Sequence, residues 1–138
     1  MGRAVLRTGR LTLTPLEAQA DHWERHGFGD WAIEHDGAFA GVAEIHFAWP
    51  GVTGISTDEV EAGWEVEEHL RGRGFATEAM RAAIEDAWTR TGADHIAAYI
   101  RPENAASHRV AEKLGFAVRG PGLTRDGSPM TVYELRAP

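Results

Sequence analysis

Residues 66–77 read V-E-E-H-L-R-G-R-G-F-A-T, and they connect a predicted strand to the most strongly predicted helix of the chain. Residues 60–66 are expected to form the strand. Beyond the connection, apolar residues recur at i, i+3, i+4 and i+7 from Ala76 to Trp88, which predicts an amphipathic helix. Gly92 is expected to end that helix. We call residues 71–77, between strand and helix, the glycine turn.

The glycine turn has the composition of an anion site. A helix start presents unpaired backbone N–H groups and the positive end of the helix dipole. Gly72 and Gly74 allow the backbone to curl around a phosphate, Thr77 adds a hydroxyl donor, and Arg71 and Arg73 add charge. The alternative to an anion site is a tight turn of structural role only, in which glycine allows the backbone to begin the helix.

The rest of the chain alternates strands and helices. Strands are predicted over residues 11–14, 31–34, 38–47, 95–100, 117–119 and 130–135, and further helices over 15–26 and 105–114. Asp36-Gly37 predicts a type I′ hairpin turn. We expect one α/β or α+β domain spanning residues 1–138.

A second informative segment, residues 101–116, reads R-P-E-N-A-A-S-H-R-V-A-E-K-L-G-F. Asn104 is placed to cap the helix, Ser107 falls in its first turn, and Gly115 follows its end. Alone, the segment predicts only a capped helix.

Together the two segments resemble the core motifs of the GNAT superfamily of N-acetyltransferases. R-x-x-G-x-A opens a long helix, and N-x-x-S-x-x-x-x-E-K-L-G-F follows about thirty residues later. The stretches V-E-A-G-W (60–64) and G-F-A-T-E-A (74–79) are similar to the RimJ/RimL branch, which includes ribosomal-protein N-acetyltransferases. The resemblance implies a single mixed, mostly antiparallel sheet with a splayed central parallel strand pair and flanking helices.

The resemblance also implies acetyl-CoA as co-substrate. Its pantetheine arm would contact backbone groups of the strand, its pyrophosphate would bind the N–H groups of the glycine turn, and the second motif would flank the thioester. The cofactor-binding residues implied are Trp64, Glu65, Val66, Arg71, Gly72, Arg73, Gly74, Phe75, Ala76, Thr77, Asn104 and Ser107.

The implied reaction transfers the acetyl group to a primary amine by direct attack in a ternary complex. The acceptor is a protein N-terminus, a lysine or a small-molecule amine. Because an ammonium has no lone pair and a lysine amine has a pKa of about 10.4, a base helps at neutral pH. Glu61 matches the family's base, acting directly or through water, and Glu65 has the same side-chain direction.

Two features depart from the family pattern. Ala111 occupies the position of the tyrosine that protonates the CoA thiolate in many family members, so that acid is absent. Ser107 then offers the nearest hydroxyl to the CoA thiol. Only residues 15–26 can be helical where the family has two helices. The acceptor side is then unusually open, or a homodimer partner completes it. Two alternatives therefore stand: a non-catalytic CoA-binding module, or a transferase for a longer acyl-CoA.

Composition and motifs argue against several other classes of protein. The formal charge of −7 argues against nucleic-acid binding, and no apolar run approaches the ~20 residues of a membrane helix. Met1 to Leu6 lack the apolar segment of a signal peptide, so we expect a cytoplasmic protein. The absence of cysteine excludes disulfides and Cys-ligated zinc. His22 and His26 are one helical turn apart, but Trp23 follows the first histidine where the zincin motif has glutamate, and we expect no metal.

Overall fold

A computed structural model describes residues 4–138, so the expectation for the first three residues, Met1 to Arg3, lies outside it. The strands are β1 (Leu6–Arg7), β2 (Thr12–Pro15), β3 (Trp31–His35), β4 (Ala38–Phe47), β5 (Val60–Val66), β6 (His95–Ile100), β7 (Ala117–Leu123) and β8 (Pro129–Arg136). The α-helices are α1 (Ala20–His26), α2 (Phe75–Thr91) and α3 (Ala105–Leu114), and Glu17–Gln19 and Glu68–Leu70 form 3-10 turns.

The strands form one mixed sheet in the order β1-β2-β3-β4-β5-β6-β8-β7. The β5–β6 pair is parallel, with Glu61 opposite Ala97. Antiparallel pairing joins β1 to β2, β2 to β3, β3 to β4, β6 to β8 and β7 to β8. The predicted mixed, mostly antiparallel sheet with flanking helices is confirmed.

The contacts divide the described chain into two compact units. The N-terminal unit comprises the chain up to His46 together with Gly63–Gly92, and the C-terminal unit comprises Phe47–Ala62 and the chain from Ala93 onward. In the N-terminal unit the apolar stripe of α2 is buried, including Ala79, Met80 and Ala83. In the C-terminal unit Ala48, Ile55, Ala97 and Val132 form a buried cluster against which Tyr99 packs.

The region between β2 and β3 holds one α-helix of seven residues, preceded by a 3-10 turn. The shortened helical region is therefore confirmed, but its predicted start at Pro15 was wrong. Pro15 is the last residue of β2 and lies opposite Trp31. A proline tolerates this place because its fixed φ is compatible with extended backbone at the end of a strand.

The strand β7 is longer than predicted. The predicted strand ended at residue 119, before Pro121 and Gly122, yet β7 continues through them to Leu123 and Pro121 lies opposite Thr131. β7 is the last strand in the sheet order, and an edge strand accepts proline because one side of it needs no ladder hydrogen bond.

No helix within residues 4–138 combines the length and the hydropathy needed to cross a membrane.

Gly41 sets the close approach of β4 to the end of β5. The ladder between β3 and β4 shifts register between Ile33 and Glu34, and the Glu67 N–H donates to the Ala40 carbonyl at 2.8 Å. A Cβ at Gly41 would lie 2.1 Å from the Glu65 carbonyl oxygen, and the φ of Gly41 is +155°. Only glycine fits here, and this contact holds the chain that leads into the glycine turn.

We expect Gly41→Ala to lower the free energy of unfolding by at least about 2 kcal/mol, because the clash is with backbone that cannot rotate away. Gly37→Ala is the matched control, since Gly37 has a φ of +77° and open space around its missing Cβ. It should cost only about 1 kcal/mol of backbone strain. Equal losses in urea unfolding of the two variants would contradict this account of Gly41.

Candidate active site

The glycine turn adopts the backbone that its two glycines allow. Gly72 and Gly74 have φ values of +81° and +80°, a region that favours glycine. Gly74 is the N-cap of α2, and no side chain caps the helix there. The N–H groups of the first helical turn have no intrahelical acceptor, so they point out of the N-terminus as donors for an anion.

Space and charge at the turn also suit an anion. A Cβ placed at Gly72 would meet no atom of residues 4–138 within 4 Å. Arg71 folds back so that its Nε donates to the Val66 carbonyl at 3.1 Å, while Arg73 is exposed. Phe75 is buried at 2% exposure and anchors the helix start.

The end of β5 belongs to the same unit as the glycine turn. Val66 is buried, Trp64 is half-buried and Glu65 is exposed. A carboxylate that the sequence analysis missed lies beside this strand, because a Cβ at Gly63 would be 2.3 Å from Glu44 Oε1. Only the folded ladder brings Glu44 to this place.

Glu61 lies on the part of β5 that belongs to the C-terminal unit. It is half-buried and pairs with Ala97, so its side chain shares a face with Tyr99 two residues further along β6. The Tyr99 hydroxyl donates to the Leu123 carbonyl. Burial raises the pKa of Tyr99, and the negative charge of Glu61 raises it further. Tyr99 therefore stays a protonated donor near Glu61, a neighbour that sequence alone could not supply without the strand register.

The capped start of α3 is as predicted. Asn104 Oδ1 accepts the Ser107 N–H at 3.1 Å, and Ser107 is half-buried. His108 Nε2 lies 3.0 Å from the Arg101 carbonyl and Nδ1 lies 2.6 Å from the Tyr133 hydroxyl. A carbonyl can only accept, so Nε2 donates to Arg101, and in the neutral ring Nδ1 is then the acceptor of the Tyr133 hydroxyl. This pair, which the sequence did not reveal, ties the first turn of α3 to β8 through the residue that follows Ser107.

Of the predicted site residues, the N-terminal unit holds Trp64 to Val66 and the glycine turn, and the C-terminal unit holds Glu61, Asn104 and Ser107. Ala111 is fully buried and offers no hydroxyl.

Comparison with known proteins identifies the family. Residues 7–117 match the family model described as "Acetyltransferase (GNAT) domain". The chain belongs to this family. A solved structure described as a GnaT-family acetyltransferase from Bordetella pertussis superimposes with a TM-score of 0.85 at 26% identity, covering 98% of this chain and 100% of that one.

Two further proteins are similar to this chain. Mycobacterium smegmatis RimJ in complex with CoA-disulfide gives a TM-score of 0.73 at 22% identity over 98% of this chain and 87% of that one, which shows the shared fold alone. The uncharacterized N-acetyltransferase YnaD of Bacillus subtilis is 33% identical over 60 residues, 44% of this chain and 35% of that protein. The chain spans less than half the length of the curated relatives it matches.

A charged cluster lies next to Glu61 in the GNAT sheet. Glu59 Oε1 is 2.6 Å from Arg119 Nη1 and 2.8 Å from His95 Nε2, and Arg119 also reaches Glu134 at 3.0 Å. Ligand atoms of Glu59, His95 and Glu134 lie within 4.8 Å of one another, a spacing that could hold a metal ion. The Arg119 guanidinium already compensates these carboxylates, so the cluster is explained as an ion-pair network.

The ion-pair network shifts the pKa values of Glu59 and His95. Hydrogen bonding to Arg119 lowers the pKa of Glu59 from 4.5 to about 2. Hydrogen bonds to Asp94 and Glu59 raise the pKa of His95. The ionised Glu59 therefore stabilises the folded state above pH 4.5, and this contribution is lost as the pH falls towards 2.

We expect Glu59→Gln to lower the free energy of unfolding by about 1–3 kcal/mol near neutral pH, where the wild-type carboxylate is charged. The difference from wild type should shrink below pH 4.5, which urea unfolding across this range will show. Glu103→Gln, at an exposed position, is the control. A difference that is constant with pH would contradict the assignment.

Proposed function

We propose that this GNAT domain binds acetyl-CoA and transfers its acetyl group to a primary amine. The observation that carries the proposal is the glycine turn, which presents uncapped helix N–H groups beside open space at Gly72. The CoA-disulfide named for the Mycobacterium smegmatis RimJ structure supports the same ligand class for this chain. We also infer a RimJ/RimL-like branch from the V-E-A-G-W and G-F-A-T-E-A stretches.

The proposed contacts divide by chemical group. The N–H groups of residues 72–77 hold the diphosphate, because a helix N-terminus stabilises negative charge without a counter-ion. The Arg71 N–H, also expected from the sequence, already donates to the Glu68 carbonyl at 3.2 Å. Backbone groups of Trp64, Glu65 and Val66 bind the pantetheine. Asn104 and Ser107 contact the thioester end of acetyl-CoA. Ser107 supplies the hydroxyl that hydrogen-bonds the CoA thiol, since Ala111 has none.

In the proposed reaction the neutral amine nitrogen attacks the thioester carbon. The N–C bond forms and the C–S bond breaks, the amine proton passes to Glu61 directly or through water, and the CoA thiolate takes up a proton. Glu65 is the alternative base. An α-amine, with a pKa of about 8, needs less help from a base than a lysine amine.

A non-catalytic CoA-binding module is the second candidate, and the single seven-residue helix between β2 and β3 favours it. A thiol-release assay with acetyl-CoA, longer acyl-CoA donors and a panel of amines and peptide N-termini separates the two. An enzyme releases CoA only when an acceptor is present. Calorimetric binding of CoA without turnover on any acceptor would assign the chain to the binding module instead.

We expect Glu61→Gln to lower kcat by about a hundredfold or more while the Kd for acetyl-CoA stays within about twofold, because proton removal and cofactor binding are separate roles. Glu65→Gln is the matched control on the same strand face. An equal loss of turnover and affinity in Glu61→Gln, or no loss, would remove Glu61 from the role of base. A selective loss in Glu65→Gln would assign the role to that residue.

We expect Gly72→Ala to raise the Kd for CoA about tenfold, because its methyl group would occupy the space proposed for the diphosphate. Gly37→Ala has nearly the same φ, +77° against +81°, and equally open surroundings, so it imposes the same strain away from the turn. Gly74→Val should weaken CoA binding too. Equal calorimetric affinities for Gly72→Ala and Gly37→Ala would contradict the proposed contact.

A further inference from the structure

Arg10 reaches the glycine turn from a distant part of the sequence. Its Nε donates to Glu78 Oε1 at 2.7 Å, and its own backbone N–H donates to Glu78 Oε2 at 2.9 Å. The Thr8 hydroxyl binds the same carboxylate. Glu78 lies in the first turn of α2, so these bonds tie Arg10 to the helix start.

The position of the guanidinium is set on two further sides. Its Cζ lies 4.6 Å from the centre of the Phe75 ring, a cation–π distance. A Cβ at Gly74 would lie 3.5 Å from Arg10 Nη2, which places this nitrogen beside the N-cap of α2. The Arg10 side chain is 46% exposed, whereas that of Glu78 is 21% exposed. The positive group therefore faces solvent at the turn while the carboxylate is more enclosed.

The electrostatics of the pair maintain this arrangement. Burial raises the pKa of the Glu78 carboxyl, but hydrogen bonds from Thr8 and Arg10 outweigh burial and hold that pKa below its usual value. Glu78 thus stays charged at neutral pH and keeps Arg10 in place. A guanidinium has five N–H donors in a planar fork, and only the Nε–H is used by Glu78, so the Nη groups keep the geometry that suits phosphate oxygens.

We infer that Arg10 is a binding residue for the diphosphate of acetyl-CoA, and that Glu78 is the residue that positions it. The inference rests on the proposed function of the glycine turn and adds to it a positive charge from outside the turn. Arg71 donates its Nε to the Val66 carbonyl, away from the helix start. Arg10 instead stands beside Gly74, next to the N–H groups proposed to hold the same anion.

The test measures calorimetric Kd values for CoA, dephospho-CoA and pantetheine with wild type, Arg10→Met and Arg10→Lys. Methionine removes the charge and keeps an apolar stem over Phe75. We expect Arg10→Met to raise the Kd about tenfold or more for CoA and dephospho-CoA alike and to leave pantetheine unchanged. Arg10→Lys should recover part of the loss, because it restores the charge without the planar fork.

The matched control is Arg90→Met at the other end of α2. Arg90 Nε donates to Asp86 Oδ2 at 2.6 Å, and its Cζ lies 5.4 Å from the Trp23 ring, so it makes the same kinds of contact away from the turn. A purely structural Arg10 would lower the melting temperature and leave the Kd for CoA unchanged.

Each remaining outcome decides a separate question. Equal losses of CoA affinity in Arg10→Met and Arg90→Met would overturn the inference, as would a loss confined to CoA, which would place Arg10 on the 3′-phosphate. An unchanged Kd in Arg10→Met beside clear wild-type binding rejects the role of Arg10 and leaves the proposed function standing. Wild-type protein that binds none of the three probes rejects both.

Discussion

The backbone N–H groups at the start of α2 cannot be satisfied by the helix itself, and Gly74, as its N-cap, brings no side chain to satisfy them. Several local features bring the chain to this helix start. Gly72 and Gly74 adopt positive φ so that the chain can leave β5 and enter the helix within a few residues. Gly41 lets β4 approach the end of β5, and buried Phe75 anchors the first turn. The result is a row of N–H donors at a helix start, a place that suits a phosphate.

Charged groups with low exposure are paired within their own unit. Asp30 and His46 are buried, and Asp30 Oδ1 accepts both the His46 Nδ1–H at 2.9 Å and the Ile45 N–H at 2.8 Å. Glu59 is held by Arg119, and Glu78 by Arg10. A buried carboxylate without such partners would cost several kcal/mol. Each of these carboxylates therefore keeps a hydrogen-bond partner in the folded state.

The sequence predicted the elements whose patterns are local. The apolar stripe of α2, the Asn104 cap of α3 and the Asp36-Gly37 turn each depend on residues close in the chain, and the structure contains all three. Pro15 and Pro121 were misplaced because a proline indicates a break, whereas the end of a strand or an edge strand also accommodates it.

The sequence could not predict contacts between residues that lie far apart in the chain. Arg10 meets Glu78 across 68 positions, and Arg119 meets Glu59 across 60. Tyr99 becomes a neighbour of Glu61 only through the parallel register of β5 and β6. No periodicity records such pairs, since they depend on the order and register of strands. The motifs thus located the glycine turn. Arg10 beside that turn and the neighbours of Glu61 could be identified only from the structure.

An amide NMR titration of the folded protein with CoA tests the central claim most directly. Hydrogen bonds from the turn to a diphosphate should move the N–H resonances of residues 72–77 strongly downfield, at CoA concentrations that match the calorimetric Kd. The amides of the Asp36-Gly37 turn should stay in place. A well-dispersed spectrum in which residues 72–77 do not respond to saturating CoA would contradict the account.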